Sequence, residues 1–385
     1  MRLAWVLWAV FAAVVVIVKY DVAPTHGNVF HSYRETGLRW IAGLDLYPAE
    51  FIFNYFPPSA VFMVPWTWLP FEIGGALWRA VNIAVFALGL WHLSAVTASP
   101  NSRSQGRSTF PIATLFTIAL CWSAARYGQM TLMMAGFMML AAADVQRGAL
   151  WRAAIFGGLA VALKPHAIVL LLVLVVIYPR LSWRALLVCT VFALIPFLFQ
   201  DPGYVWDQYA SIPEMLRTRM GQTWRVFAHI FGMFESLGLA ITDAQKTIVR
   251  LTAAIFVLFL CWQTRSNRCP GSAFFLYALS TCYILLMGAA IEHNTYAMMG
   301  PVIGLLAACT WIDRRMPVFV LLCILTAMTV LSHTIMKEFP SYPFLAMLKP
   351  FACTILFLLL TTLVWKPRLA TKDNSGTVIY DQSVT

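Results

Sequence analysis

Apolar residues run along the chain in twelve blocks, at 3–19, 74–96, 110–125, 129–145, 151–163, 166–178, 184–199, 247–264, 271–290, 297–313, 316–333 and 345–365, with short polar stretches between them. A hydrocarbon core is crossed by about 20 predominantly apolar residues in helical conformation. Helix is the conformation such blocks require. Backbone polar groups in hydrocarbon must be satisfied within the segment, and the alternating pattern of a barrel strand is absent. The pattern predicts an all-α polytopic membrane protein with a single transmembrane domain over 1–366 and a polar tail over 367–385. The first block has one Arg and then an apolar run from Leu3 to Val18. That run is longer than a signal-peptide core and lacks a small-residue cleavage site, so it is read as an uncleaved first span.

Composition agrees. Of the 385 residues 61% are hydrophobic and 11% charged, less than half of the ~25% charge of a soluble domain. The surplus of 27 Lys and Arg over 16 Asp and Glu, a net +11, would hint at nucleic acid in a soluble protein. In a membrane protein it marks cytoplasmic loops. The basic residues collect at Arg103 and Arg107, Arg147 and Arg152, Arg180 and Arg184, Arg265 and Arg268, Arg314 and Arg315, then Lys366, Arg368 and Lys372. Alternating helices put all six clusters on one side, the cytoplasm, together with the C-terminal tail. The opposite side then receives 20–54, the turns at 126–129, 164–166 and 291–296, and the stretch 200–246. The expected location is the inner (plasma) membrane, with the chemistry facing the periplasm or exterior. The segment 56–70, with Pro57, Pro58, Pro65 and Pro70, breaks the alternation if counted as a span; re-entrant and interfacial placements both stay open. Residues 206–234 mix Trp, Met and Phe with Arg and Glu and read as an amphipathic interfacial helix. The eight cysteines are scattered without a CxxC pair and read as small buried hydrophobes.

Nearly all candidate chemistry falls on the non-cytoplasmic side. Asp21, Glu35, Asp45 and Glu50 lie in the first outer loop, where a carboxylate partly shielded from water can take a proton from an attacking hydroxyl. Asp21 follows directly on the first span, a rigid mount. Lys164-Pro165-His166 interrupts an apolar run; a lysine there is expensive unless it reaches water or an anion, and as a point charge it suits phosphate. Glu292-His293-Asn294 separates two apolar blocks and offers groups to orient a sugar hydroxyl or a phosphate oxygen. Gln129 and Gln222 each offer an amide for sugar hydroxyls. Arg79 and Asn82, three residues apart on one block, read as structural partners in the bundle interior. There is no phosphate-cradling glycine loop, no HExxH or Cys/His metal spacing and no GxSxG elbow. A nucleotide-driven pump is therefore disfavoured, and neither metal nor cofactor is expected.

Against this background the stretch GLRWIAGLDLYPAEFIFNYFPPSAVFMVPWTWLPFEIGGALWRAVNIAV, residues 37–85, resembles the GT-C superfamily of membrane glycosyltransferases, in the branch of the polyprenyl-phosphate-mannose-dependent alpha-1,2-mannosyltransferases. Gly37, Gly43, Leu46, Tyr47, Tyr55, Pro57, Pro58, Pro65, Leu69 and Pro70 match its first-loop pattern. RYGQMTLMMAGFMMLA is similar to its Gly-Gln segment, GGLAVALKPHAIVLLL to its Lys-Pro segment, and IEHNTY to a late segment that carries two histidines in the family. The resemblance implies a bundle of 11–13 helices with an outer-face cavity. It implies a polyprenyl-phosphate-linked hexose donor, a lipid or glycan acceptor, membrane lipids as surroundings, no nucleic acid, and inverting transfer with an acid of the first outer loop as base. The family places that acid just before the Phe matching Phe30; here Val29 stands there, preceded by Asn28, so Asp21 is the first choice and Glu35 the second. Lys164, His166, His293, Glu292, Tyr55, Gln129 and Gln222 are the expected substrate-binding residues. The rival reading is a transporter or flippase, which would show broken helices in matching halves of the chain; one such break is visible, at Lys164.

Overall fold

The computed structural model describes residues 1–20, 28–48, 51, 53–97, 106–220, 228–266, 271–289, 291–338 and 347–365. Among them the elements are α1 (Arg2–Tyr20), α2 (Val29–Ile41), α3 (Pro57–Thr67), α4 (Phe71–Thr97), α5 (Gly106–Tyr127), α6 (Thr131–Gln146), α7 (Leu150–Leu163), α8 (Ile168–Ile177), α9 (Ser182–Leu194), α10 (Pro202–Ala210), α11 (Ile212–Met220), α12 (Ile230–Ser236), α13 (Asp243–Ser266), α14 (Ser272–Met287), α15 (Met299–Ile312), α16 (Met316–Glu338) and α17 (Leu348–Trp365). Short 3-10 turns join several of them, and no strand occurs among the described residues. The twelve apolar blocks are twelve helices. Six segments are long and apolar enough to cross a membrane, and six shorter apolar helices accompany them. The protein is an all-α, multi-span membrane protein.

Burial sorts these helices. On α6, α14 and α15 buried residues occur all round the helix, as expected of helices enclosed by other helices. The outward positions of α9 and α13, among them Leu186, Leu194, Ile248 and Ile255, are exposed apolar residues, which suits a lipid-facing rim. The tightest crossings use glycine. A Cβ on Gly89 of α4 would stand 2.5 Å from the Gly136 carbonyl oxygen of α6, and one on Gly304 of α15 would stand 2.6 Å from the Ala113 oxygen of α5. Helices in lipid gain nothing from hiding apolar surface against each other. Close backbone approach over small residues and the dispersion contacts it brings are what hold them.

The two ends of the bundle differ. At one end Arg147 bonds His92 Nδ1 at 2.7 Å, Arg184 lies over the Trp151 ring and Arg265 over the Tyr178 ring. Asp144, fully buried, binds Arg152 at 3.0 Å and Arg147 at 3.4 Å. This end gathers the described basic clusters, as the alternation requires; Arg103, Arg268 and 366–385 lie outside the described residues. The opposite end carries the irregular structure. Segment 56–70 is not a span. Its helix α3 has 11 residues, about 16 Å of rise against a core of about 30 Å. It starts on Pro57 and Pro58, which are pre-set for a first helical turn, and it packs on α2, where Gly37 leaves room for the Met63 carbonyl. The interfacial helix expected over 206–234 is also corrected: α10, α11 and α12 are separate pieces of nine, nine and seven residues. Pro202 starts the first, with Asp201 as its cap, and Pro213 sits in the first turn of the second, so the proline positions set these starts.

Gly136→Leu is expected to abolish the monodisperse detergent-solubilised protein. Gly136→Ala is expected to lower its thermal stability by about 1–3 kcal/mol, the usual penalty of overpacking. Size-exclusion chromatography and thermal unfolding test both.

Candidate active site

Three helix breaks meet at this irregular end. Gly128 takes a left-handed φ of +69° and closes α5, with Gly128 N–H on the Ala125 carbonyl and Gln129 N–H on that of Ala124, a glycine C-cap. The Trp78 indole N–H donates to the Gly128 oxygen at 2.7 Å. Arg79, buried, donates to the carbonyls of Gly75 and Arg126 and to Asn28 Oδ1, so it ties the start of α2 to the end of α5. Asn82 receives the Met133 N–H and donates to the Trp78 carbonyl. Arg79 and Asn82 are structural, as their spacing suggested, although they brace backbone rather than each other. At the second break Pro165 drives the preceding residue out of the helical region, and Lys164 is extended at φ −146°, ψ 119°. The third is Glu292, extended at φ −85°, ψ 154° before the 3-10 turn His293–Met298.

These breaks present one connected set of side chains. Tyr33, on the buried face of α2 with Phe30, Gly37 and Trp40, donates its hydroxyl to Gln129 Oε1 at 3.3 Å and accepts the Met130 N–H. The Tyr55 hydroxyl lies 3.2 Å from that of Tyr33. Gln129 Nε2 donates to Glu292 Oε2 at 3.3 Å. Lys164, 5% exposed, donates to Thr131 Oγ1 at 2.9 Å and stands 6.0 Å from the Tyr55 ring centroid. Burial pulls the Lys164 ammonium below the ordinary lysine range, and the Glu292 carboxylate pulls it back. Burial also raises the Tyr33 phenol well above the usual range, so it remains a donor. Leu163, the residue before Lys164, lines an apolar cleft of roughly 160 Å³ together with Pro58, Val61 and Phe62 of α3, Leu159 of α7, and Phe192 of the exposed helix α9.

Of the residues the sequence put forward, Tyr55, Gln129, Lys164 and Glu292 stand together. His166 lies beside them with Nε2 on the Ala289 carbonyl at 3.1 Å, and its buried Nδ1 has no partner among the described residues. His293 is held through its backbone, its carbonyl accepting from Lys349 Nζ at 3.0 Å. Glu35 does not join the set. It is bound to Arg39 one turn on at 3.4 Å, and two positions along a helix from Tyr33 put it about 200° round the axis. Asp21, Gln222 and Glu50 lie outside the described residues, and Asp45 turns onto the Tyr47 N–H at the surface. Sequence reasoning missed Tyr33, Thr131 and Lys349. The last was findable: Leu348-Lys349-Pro350 repeats Leu163-Lys164-Pro165, and both lysines are buried to the same degree.

A profile of glycosyltransferase family 87 matches residues 53–289. The chain belongs to that family. The matched stretch contains Tyr55, Gln129, Lys164 and His166, and it ends just before Glu292. The expectation of a membrane glycosyltransferase is thereby borne out; the mannose donor is a finer point that membership leaves open. Two crystal structures of ArnT from Cupriavidus metallidurans, one bound to undecaprenyl phosphate and one in the apo state, are similar to the family 87 chain at 16% identity. They cover 93% of it and 76% and 77% of their own chains, with TM-scores of 0.45 and 0.43. Among curated proteins none matches the sequence.

The Glu292 segment is braced by residues 228–232. The Ala228 N–H donates to the Ile291 carbonyl, the Tyr296 hydroxyl donates to the Ala228 carbonyl, and His229 Nδ1 caps α12 by accepting the Gly232 N–H at 2.9 Å. That bond needs neutral histidine. Burial first, then the Arg250 charge, holds His229 down at about 4, below its ordinary value of about 6.5. The folded state therefore binds fewer protons than the unfolded one between these values. This contribution, up to about 3 kcal/mol, is complete above pH 6.5 and is lost as pH falls toward 4. His229→Asn, which keeps a cap but cannot titrate there, is expected to flatten the fall in melting temperature between pH 6.5 and 4. Thermal unfolding in detergent across that range measures it.

Proposed function

We propose that this family 87 glycosyltransferase moves a hexose, mannose in the first instance, from a polyprenyl-phosphate donor to a lipid or glycan acceptor, with inversion, on the non-cytoplasmic side of the inner membrane. The supporting observation is a polar set around a buried lysine whose neighbour in the chain, Leu163, lines an apolar cleft, a pairing that suits an amphiphile with an anionic head. Lys164 would hold the phosphate and stabilise the charge that develops as the sugar leaves. Tyr55 and Gln129 would bind sugar hydroxyls, with His166 Nδ1 as a further acceptor. The cleft is smaller than the ~300–1,000 Å³ of sites that enclose a whole small ligand, so it would take only the isoprene units next to the phosphate. Sidedness is supported by the basic clusters at the opposite end.

In such a displacement a carboxylate takes the proton of the acceptor hydroxyl, the acceptor oxygen bonds to the anomeric carbon, and the bond from that carbon to the phosphate oxygen breaks with its electron pair left on the phosphate. Asp21 is the base the sequence puts forward. The transporter reading loses its ground, since the family is one of glycosyltransferases and no described feature asks for transport.

The test is sugar transfer from polyprenyl-phosphate mannose by the purified protein in lipid nanodiscs. Lys164→Ala is expected to lower kcat by about 10²–10³-fold while the protein stays monodisperse. Full activity in the variant would remove Lys164 from the site, and no transfer by the unaltered protein from any polyprenyl-phosphate hexose would end the donor assignment.

A further inference from the structure

At the basic end two tryptophans form a cradle for an arginine. Trp151, in the first turn of α7, and Trp183, in the first turn of α9, are half-exposed, and their rings meet edge to face with centroids 5.0 Å apart. Gly158 lets the two helices come this close, since a Cβ there would stand 2.6 Å from Val188 Cγ1. The Arg184 guanidinium lies 4.5 Å from the Trp183 centroid and 5.5 Å from that of Trp151. Both distances are within the reach at which an indole face attracts a cation.

Charge around this cradle is unbalanced. Arg184 donates to the Arg180 carbonyl, a neutral oxygen, and its Nε is buried with no partner among the described residues. Arg180, one turn before it, is exposed. No described carboxylate pairs with either. Arg152, which follows Trp151 in the chain, shares Asp144 with Arg147. Four arginines are thus set against one carboxylate.

An apolar track leads away from the rings. Leu187, Val191 and Leu194 follow Trp183 at helical spacing along one face of α9 and are exposed, as is Ile155 one turn beyond Trp151. From Trp183 to Leu194 the helix rises about 16 Å, close to half of a hydrocarbon core of about 30 Å. The track therefore has the length of one leaflet. A soluble anion would leave it unused, and an uncharged lipid would leave the arginines unused.

We propose that Arg180, Arg184, Trp151 and Trp183 form a binding site for a phospholipid of net negative charge, in the leaflet that meets the basic end. The arginines take the phosphate and the charge of the head group, for which a planar guanidinium is suited. The indoles lie at the level of the head group, where tryptophan is favoured, and an acyl chain runs along Leu187, Val191 and Leu194. The site is at the other end of the bundle from Lys164 and does not depend on the reaction carried out there.

The test is a titration of the full-length protein, delipidated in detergent, with phosphatidylglycerol and with phosphatidylcholine of the same acyl chains, retained lipid being counted by native mass spectrometry. Phosphatidylglycerol is expected to bind at least about tenfold more tightly, as several arginines at an anionic head group imply. Arg184→Gln is expected to weaken it by about fivefold, the worth of one arginine there; should that variant not fold, the exposed Arg180→Gln carries the same readout. Trp183→Leu keeps an apolar residue at the surface but removes an indole face, and is expected to cost about threefold. Arg315→Gln, on the turn between α15 and α16 at the same end, is expected to leave binding unchanged. Equal affinity for the two lipids would overturn the proposal. So would an equal loss in Arg315→Gln, the mark of a diffuse surface charge, or displacement of the lipid by inorganic phosphate beyond that by chloride at equal ionic strength, the mark of a site for a soluble anion.

Discussion

Hydrocarbon offers a peptide group no hydrogen-bond partner, and a helix that must stop inside or near a membrane has to find those partners in the protein. The rest of this structure follows from where its helices stop. At the basic end they stop in short turns, several of them carrying arginines. At the other end they stop early and irregularly, on Gly128, on Lys164-Pro165 and before Glu292, and the orphaned backbone is taken up by protein groups. Trp78 and Arg79 serve the first stop, and Lys349 and the Ala228 amide serve the third. The space freed by those stops is where side chains with chemistry converge. The site is thus a consequence of how the termination problem is solved at one end of the bundle.

Which parts of this were legible in advance follows from how far each signal reaches along the chain. Span number and alternation depend on local composition and on charges next to the spans, so the twelve helices and the basic end could be read directly. Lys164 was legible for the same reason: a lysine before a proline in an apolar run is a local anomaly. Segment 56–70 was ambiguous because its prolines mark boundaries without saying what lies between them. Tyr33 had no local signal, since its role arises from Gln129, 96 residues away, at the place where Arg79 ties the start of α2 to the end of α5. Glu35 was misleading for a related reason. A loop acid looks available until the loop proves to be a helix with an arginine one turn on, and such pairs form readily at that spacing.

The close helix crossings bear on the site as well as on the fold. Gly89 on Gly136 and Gly304 on Ala113 bring backbones together with no side chain to deform, so α4, α5, α6 and α15 form a rigid group. Arg79, Gln129, Thr131 and the turn after Glu292 are mounted on the ends of these same helices. Precise placement of catalytic groups needs rigid supports, because a displacement on the order of 1 Å can cost about 10²-fold in rate. Packing by small residues supplies that rigidity where apolar burial between helices contributes little.

Charge balance at this end gives the last constraint. Arg79, Lys164 and Lys349 are each buried, and their described hydrogen bonds run to neutral oxygens: backbone carbonyls, Asn28 and Thr131. Buried charges are costly unless compensated, and among the described residues Glu292 is the carboxylate whose charge reaches Lys164. Three buried cations hydrogen-bonded to neutral oxygens at the end where the helices open suit the approach of an anion. A lipid phosphate under the proposed function meets that need twice: as the donor that enters, and as the leaving group whose charge grows while the sugar departs. Under the proposed function, cations held on neutral oxygens in the resting protein would stabilise the transition state, where the charge appears.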